Sequence, residues 1–586
     1  MPLLPFERGK TSWEDVVKAA QAHRDETIAA VEPPVPDVPA ELPLDVTPLP
    51  RQLLSAREVE LTETPPEELA ALLAKGQLTS VELTKAFLRR AGLAQKLTNC
   101  VTELLPNLAI QRATALDAYL AQHGTPIGPL HGLPISIKEH ASLAGHDVNA
   151  GFVSWVGRPA PSDSAGLLQL LDAAGAVFYA RTTQPQTLMH LETSSNLYGA
   201  TVNPFRRSLT SGGSSGGEGA LLGLRASCLG VGTDIGGSIR SPAANQGLFG
   251  LKPSSYRLPM EGMAATMMGQ EQIVPVIGPL STSLEGVRLF MRACLRQRPW
   301  VRFPSLLPLP WREGEGWERT AEGGCVKKLK VGVLWDDGVV RVHPPVRRAL
   351  KETVDALKKV EGVEIVEWKP YKHDLAWEII ASLYFCDGAS EESEAIAESG
   401  EPWRPLSEFI IKQNPFVKKL SVSEIWDWTQ KREEYRAAYA QRWNDTATRA
   451  DENGVPTGAV DVILCPVGPG AAPLLETAKY WGYTSQWNLL DYSALVFPVT
   501  KVDPTVDVKE ETYNPRNEKD EYNYNLCEST PAVVWCVAGM LTPLDDPENF
   551  AGAPISLQLV GRRYEEEKVV EIMEYIISKT GLPFKT

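Results

Sequence analysis

Long hydrophobic runs, paired cysteines and an excess of positive charge are all missing from this 586-residue chain. No stretch approaches the roughly 18 apolar residues of a membrane-spanning helix. The N-terminal residues Met1-Pro-Leu-Leu-Pro-Phe-Glu-Arg-Gly-Lys10 lack the apolar core of a secretory signal. The expectation is a soluble cytoplasmic protein with no membrane span. Lysine and arginine number 58 against 73 aspartates and glutamates, a formal net charge of −15. Such a surface repels nucleic acid and anionic membranes, which argues against both as partners. The eight cysteines, Cys100, Cys228, Cys294, Cys325, Cys386, Cys465, Cys527 and Cys536, show no C-x-x-C spacing and no close histidine partners. Neither a zinc site nor a disulfide framework is indicated, and a reducing compartment is the natural reading. Histidine is equally scattered: His23, His123, His131, His140, His146, His190, His343 and His373 fall in no spacing that marks a catalytic partner. No internal repeat is visible.

What the chain does have is glycine and serine in two adjacent loops. Ser211-Gly-Gly-Ser-Ser-Gly-Gly-Glu-Gly-Ala220 is followed by Gly230-Val-Gly-Thr-Asp-Ile-Gly-Gly-Ser-Ile-Arg240, with Ser214 and Ser238 only 24 residues apart. Glycine lets the backbone turn sharply and aim several N–H groups at one point, so Ile235-Gly-Gly-Ser238 can surround a hydroxyl with donors. Acyl transfer needs that arrangement. A carbonyl attacked by serine becomes an oxyanion, and one preorganised donor to it is often worth about 3 kcal/mol.

A serine hydroxyl also needs a base. The candidate is Lys138, at the end of the apolar run Leu133-Pro-Ile-Ser-Ile137. A lysine closing a buried strand is desolvated, which lowers its pKa and lets it act as a neutral base. The competing reading of the same residue is a lysine paired with Glu139.

The order of a lysine, then Gly212-Gly-Ser-Ser-Gly-Gly217, then Gly232-Thr-Asp-Ile-Gly-Gly-Ser-Ile-Arg240 closely resembles the amidase signature family, whose hydrolases use a Ser-Ser-Lys triad. The resemblance implies that Ser238 is the nucleophile. It makes Ser214 the bridging serine, held on a cis peptide, and Lys138 the base that receives the proton through it. The backbone amides of Ile235, Gly236, Gly237 and Ser238 would form the oxyanion hole, with Ser215, Asp234 and Arg240 shaping the loop. The stretches Leu78–Lys85, Ala94–Cys100, Pro185–Leu188, Asn488–Tyr492 and Gly552–Tyr564 look like those of fungal acetamidases and general amidases. The likeness runs from about residue 50 to the C-terminus. Ser211 departs from it, because those relatives often carry cysteine or proline there.

Alternating elements point to an α/β fold. Ser12 to about Val31 reads as a surface helix, and Pro33-Pro-Val-Pro-Asp-Val-Pro39 as a strap unable to join a helix or central strand. Residues 1–60 are expected to form an arm, and residues 61–586 the catalytic domain. A helix ends near Gly76, and Thr79-Ser-Val-Glu82 opens another that turns Val81, Phe87 and Leu88 inward. A helix end passes into a buried strand between Ala173 and Arg181. Glu218–Leu224 reads as a short helix and Ala226–Thr233 as a strand, so Ser238 follows a strand end. Leu329–Trp335, Pro344–Lys359 and Val363–Trp368 form a βαβ unit, which requires parallel strands. Residues 300–328 look like a long connection and Asp507–Asn525 like a solvated excursion. An apolar fraction of 43% is ample for one core. The expected architecture is a single large twisted mixed β-sheet with helices on both faces.

The predicted activity is hydrolysis of a small carboxylic amide by acyl transfer to Ser238, with no metal or organic cofactor. Carbamate or ester hydrolysis at the same site is the alternative, and a transamidation-type partner subunit a more distant one. A homodimer is compatible with the sequence. The Gly212-Gly-Ser-Ser-Gly216 stretch also matches a G-x-S-x-G nucleophile elbow, but the residues before it, Asn203–Thr210, read as a loop rather than the required strand. For the acyl pocket, Leu188 and Met189 are candidates from their place in the family motif, with ordinary core packing as the competing reading. Tyr384, Trp481 and Trp487 lie in segments that resemble pocket-lining segments of relatives.

Overall fold

Eleven strands hydrogen-bond into one sheet in a computed structural model that describes residues 5–158, 161–312, 314, 317, 328–508, 512–526 and 547–584. In chain order they are β1 (Val101–Leu104), β2 (Pro134–Lys138), β3 (Val177–Thr182), β4 (Leu229–Asp234), β5 (Phe249–Lys252) and β6 (Val276–Ser281). They continue with β7 (Leu329–Val333), β8 (Val363–Glu367), β9 (Val462–Pro466), β10 (Ala494–Lys501) and β11 (Pro554–Val560). Across the sheet the order is β1-β3-β2-β4-β6-β5-β10-β11-β9-β7-β8. The sheet is mixed: β2 runs parallel to β3 and β4, and β7 to β8 and β9, while β4/β6, β5/β10 and β10/β11 are antiparallel.

Every residue of β2, β3, β4, β6, β9 and β11 is buried. Successive side chains point to opposite faces, so both faces are covered. Helix Pro344–Leu357 shows how: Val346, Ala349, Leu350, Thr353, Val354 and Leu357 recur at three- and four-residue intervals and face inward, and the helix packs on β11. It connects β7 to the parallel β8, as the βαβ reading requires.

Other elements fall where the sequence placed them. Trp13–Ala29 is a helix capped by the Ser12 side chain, and its Val16 and Ala20 pack with Val153, Val156 and Leu197. Helix Pro66–Ala74 precedes helix Ser80–Thr98, whose N-cap Thr79 accepts from the Glu82 amide. Phe87 and Leu88 are buried, and Val81 is half-buried and packs against the same core.

Where it is described, the expected solvated excursion at Asp507–Asn525 is mostly exposed, but two of its carboxylates turn inward. Asp507 is buried and accepts from Arg348 at 2.7 and 2.9 Å. Glu518–Asn525 is a helix whose Asp520 is fully buried, accepting from the Arg341 and Arg516 amides. Charge composition did not reveal these two because their donors Arg348 and Arg341 are distant in sequence. Of the cysteines, Cys100, Cys228, Cys294, Cys386 and Cys465 are free thiols, while Cys325, Cys527 and Cys536 lie outside the described residues. Among the described residues no helix is long and apolar enough to cross a membrane, and no cluster of three metal-ligating side chains occurs.

Candidate active site

Lys138 is the last residue of β2, flanked by β3 and β4, and no part of it reaches solvent. Its Nζ donates to Ser214 Oγ at 2.6 Å and to Thr233 Oγ1 at 3.0 Å. Burial lowers its pKa to about 7, while the negative charge of Asp234 and Glu218 acts the other way. Glu139, the competing partner, is engaged elsewhere: its carboxylate accepts from the Asn149 and Ala150 amides and from Gln184. Period-two alternation at the strand end sends the two side chains to opposite sides.

Ser214 lies in a loop that the chain enters without a strand. Thr210 makes only an isolated bridge to Val202, so the nucleophile-elbow geometry is absent there. The Gly213–Ser214 peptide is cis. A Cβ on Gly213 would come within 2.6 Å of the Glu192 backbone, so only glycine allows this approach. Thr193 Oγ1 donates to Gly212 O and accepts from Gly216 N, both at 3.0 Å, holding the loop at each end. The Ser215 amide donates to Ser238 O at 3.1 Å and ties this loop to the next.

The second loop is the continuation of β4. Asp234 ends the strand and accepts from the Gly237 amide at 2.9 Å, the Ile239 amide at 3.1 Å and the Arg240 guanidinium at 3.0 Å. Burial raises the Asp234 pKa, but Arg240 and Asn488 outweigh it and hold the carboxyl below its usual range. Tyr384 Oη donates to Ile235 O at 2.7 Å and Thr484 Oγ1 to Gly236 O at 2.6 Å, which engages both carbonyls. The N–H groups of Ile235, Gly236 and Ser238 have no partner among the described residues. Gly237 differs from the expectation of four free donors, because its amide is committed to Asp234 and its φ of +135° suits only glycine.

Ser214 and Ser238 both face a cleft of about 410 Å³. Leu188 and Met189 line it, as do Met260, Met263, Met267 and Met268. Tyr384 and Trp481 do not line it. They stand behind the loop, where a Cβ on Gly236 would meet both at 2.9 Å. Trp487 is farther into the core, edge-on to Tyr439 with ring centroids 6.1 Å apart. A smaller cavity of about 150 Å³ near His343 and Tyr480 touches none of Lys138, Ser214 and Ser238.

Two polar residues of the site escaped the sequence reading. Thr233 accepts from Lys138, and His140 Nε2 is 3.0 Å from the same Thr233 hydroxyl. Thr233 lies in the strand before Asp234 and His140 in the turn after Lys138, and no spacing in the sequence marked either.

The family model described as Amidase matches residues 82–570, a span that contains all of these loops. The chain belongs to the amidase family. This amidase is 39% identical over 568 residues to an acetamidase of Emericella nidulans, covering 96% of this chain and 98% of that one. An acetamidase of Aspergillus oryzae is 38% identical over 566 residues, with 96% and 98% covered. Among solved structures, a fatty acid amide hydrolase superposes with a TM-score of 0.87 at 34% identity, covering 97% of the amidase and 95% of that chain. The amidase is thus an amide-hydrolysing enzyme built on the amidase signature fold.

Proposed function

We propose that this amidase hydrolyses uncharged carboxylic amides through an acyl-enzyme on Ser238. The observation that carries the reading is the 2.6 Å contact of buried Lys138 Nζ with Ser214 Oγ, at a cleft that Ser238 also faces. Neutral Lys138 takes the Ser214 proton as Ser214 takes that of Ser238. The Ser238 oxygen then attacks the amide carbonyl, and the oxyanion rests on the N–H groups of Ile235, Gly236 and Ser238. As the tetrahedral species collapses, the proton returns from Lys138 through Ser214 to the leaving nitrogen, which departs as ammonia or an amine. Water repeats the sequence on the acyl group and frees a carboxylate.

The methionine and leucine walls favour an apolar acyl group over a charged one, because an unpaired charge in such a cleft loses its hydration. Residues 61–586 serve as the catalytic domain and residues 1–60 as an N-terminal arm. The buried free thiols Cys100, Cys228, Cys294 and Cys465 suit a reducing, cytoplasmic compartment.

Ammonia release from short amides, compared between wild type and Ser238→Ala, tests the reading, together with mass spectrometry of the acylated peptide. The expected result is no turnover in the variant and the acyl group on Ser238. An acyl group mapped to Ser214 would overturn it.

A further inference from the structure

We infer that His140 is a positioning residue of this amidase: its ring fixes the direction of the Thr233 hydroxyl proton and so keeps the Lys138 lone pair clear for Ser214. This rests on the reading of Lys138 as the base.

His140 is buried, and its ring forms part of the cleft wall. Nδ1 lies 3.0 Å from Ala264 O, an atom that can only accept, so Nδ1 carries a proton. The Ala264 amide donates back to His140 O at 2.8 Å, which pins the backbone from which the ring projects. Burial holds the imidazole well below its ordinary pKa, so the ring has a single proton. Nε2 is therefore a lone pair, and Thr233 Oγ1, 3.0 Å away, must donate to it. A hydroxyl has one hydrogen. Once it is given to His140, Thr233 can only accept from Lys138, whose Nζ is also at 3.0 Å.

Neutral lysine offers two N–H groups and one lone pair. One N–H is taken by Thr233, and Thr233 has no proton left with which to claim the lone pair. That lone pair is then available to Ser214 Oγ at 2.6 Å. Without an acceptor at position 140, the Thr233 hydroxyl can rotate, donate to Lys138 and compete with Ser214. During acylation Lys138 gains one proton from Ser214, and Ser214 gains one from Ser238. His140 and Thr233 keep theirs throughout, so the proposed role is orientation rather than transfer.

The test measures ammonia release from hexanamide by the full chain, for wild type, His140→Phe, His140→Gln, Thr233→Val and the His140→Phe/Thr233→Val double variant. Thermal melts check folding. The glutamine carbonyl can accept where Nε2 does; phenylalanine cannot. Phe is expected to lower kcat about ten-fold and Gln to restore most of it. In the Thr233→Val background, Phe is expected to change kcat by less than about two-fold, because both substitutions act through one hydroxyl. Wild-type kcat in His140→Phe, equal losses for Phe and Gln, or full multiplication of losses in the double variant would each overturn the inference. If the phenylalanine variant does not fold, His140→Leu takes its place in the same cycle with the same outcomes. A wild type inactive on every amide would instead overturn the amidase reading of the site.

Discussion

Arg240 grips Asp234 with two hydrogen bonds of 3.0 Å, Nε to Oδ2 and Nη2 to Oδ1, and neither side chain touches water. The same carboxylate receives the Gly237 and Ile239 amides, so the pair holds the ends of the turn that carries Ser238. Replacing Arg240 by methionine strands a buried anion, which typically costs about 3–5 kcal/mol. The expected outcome is a marked loss of stability in urea titration, together with loss of turnover.

The pH dependence follows from Lys138. Its folded pKa of about 7 means that the proposed base is neutral above that value, so the acylation rate is expected to rise with pH through about 7 and then level off. Stability moves with it. Between about 7 and the ordinary lysine value of 10.5, the unfolded chain holds a proton that the folded chain has released, so stability rises with pH across that window. Below it, the buried ammonium exerts its full penalty. Lys138→Met is expected to abolish turnover at every pH and to exceed wild type in stability most at about pH 6, with the margin shrinking as pH rises. Denaturant melts at several pH values check this.

The aromatics behind the turn give a third prediction. Tyr384→Phe removes the hydrogen bond to Ile235 O, worth about 1 kcal/mol, and kcat is expected to fall about five-fold with little change in KM. Gly236→Ala pushes a methyl group to 2.9 Å from the Trp481 ring and from Tyr384 Oη, and is expected to damage activity more severely. Steady-state kinetics of both variants measure the difference.

A fourth concerns the cleft. Each methylene moved from water into an apolar wall contributes about 0.8 kcal/mol, so kcat/KM is expected to rise about four-fold per added carbon from acetamide until the cleft fills. An acyl group ending in a carboxylate is expected to react far more slowly than its uncharged counterpart. A homologous series of amides tests both.

Chemistry in this chain was legible wherever it depended on local sequence. Lys138 at a strand end, the glycine pair before Ser214 and the turn after Asp234 are set by neighbours within a few residues, and the local structure follows the sequence there, whereas their proposed chemical roles await the kinetic tests above. The βαβ unit at β7 and β8 was legible for the same reason. Long-range relations were not. Trp481 and Tyr384 were expected in the pocket wall, yet they reach the turn from the other side, a matter of how distant helices pack. The commitment of the Gly237 amide to Asp234 and the His140–Thr233 contact depend on side-chain direction, which residue spacing does not encode. Asp507 and Asp520 were misjudged because a carboxylate's burial is decided by the donor that meets it.

Met189, Met260, Met263, Met267 and Met268 all border the cleft, and Met268 is 61% exposed. Peroxide converts such thioethers to sulfoxides, which are polar and chiral, and would dress an oily groove with oxygen. Loss of turnover after mild peroxide treatment is expected to be reversed by a sulfoxide reductase and not by a thiol reductant.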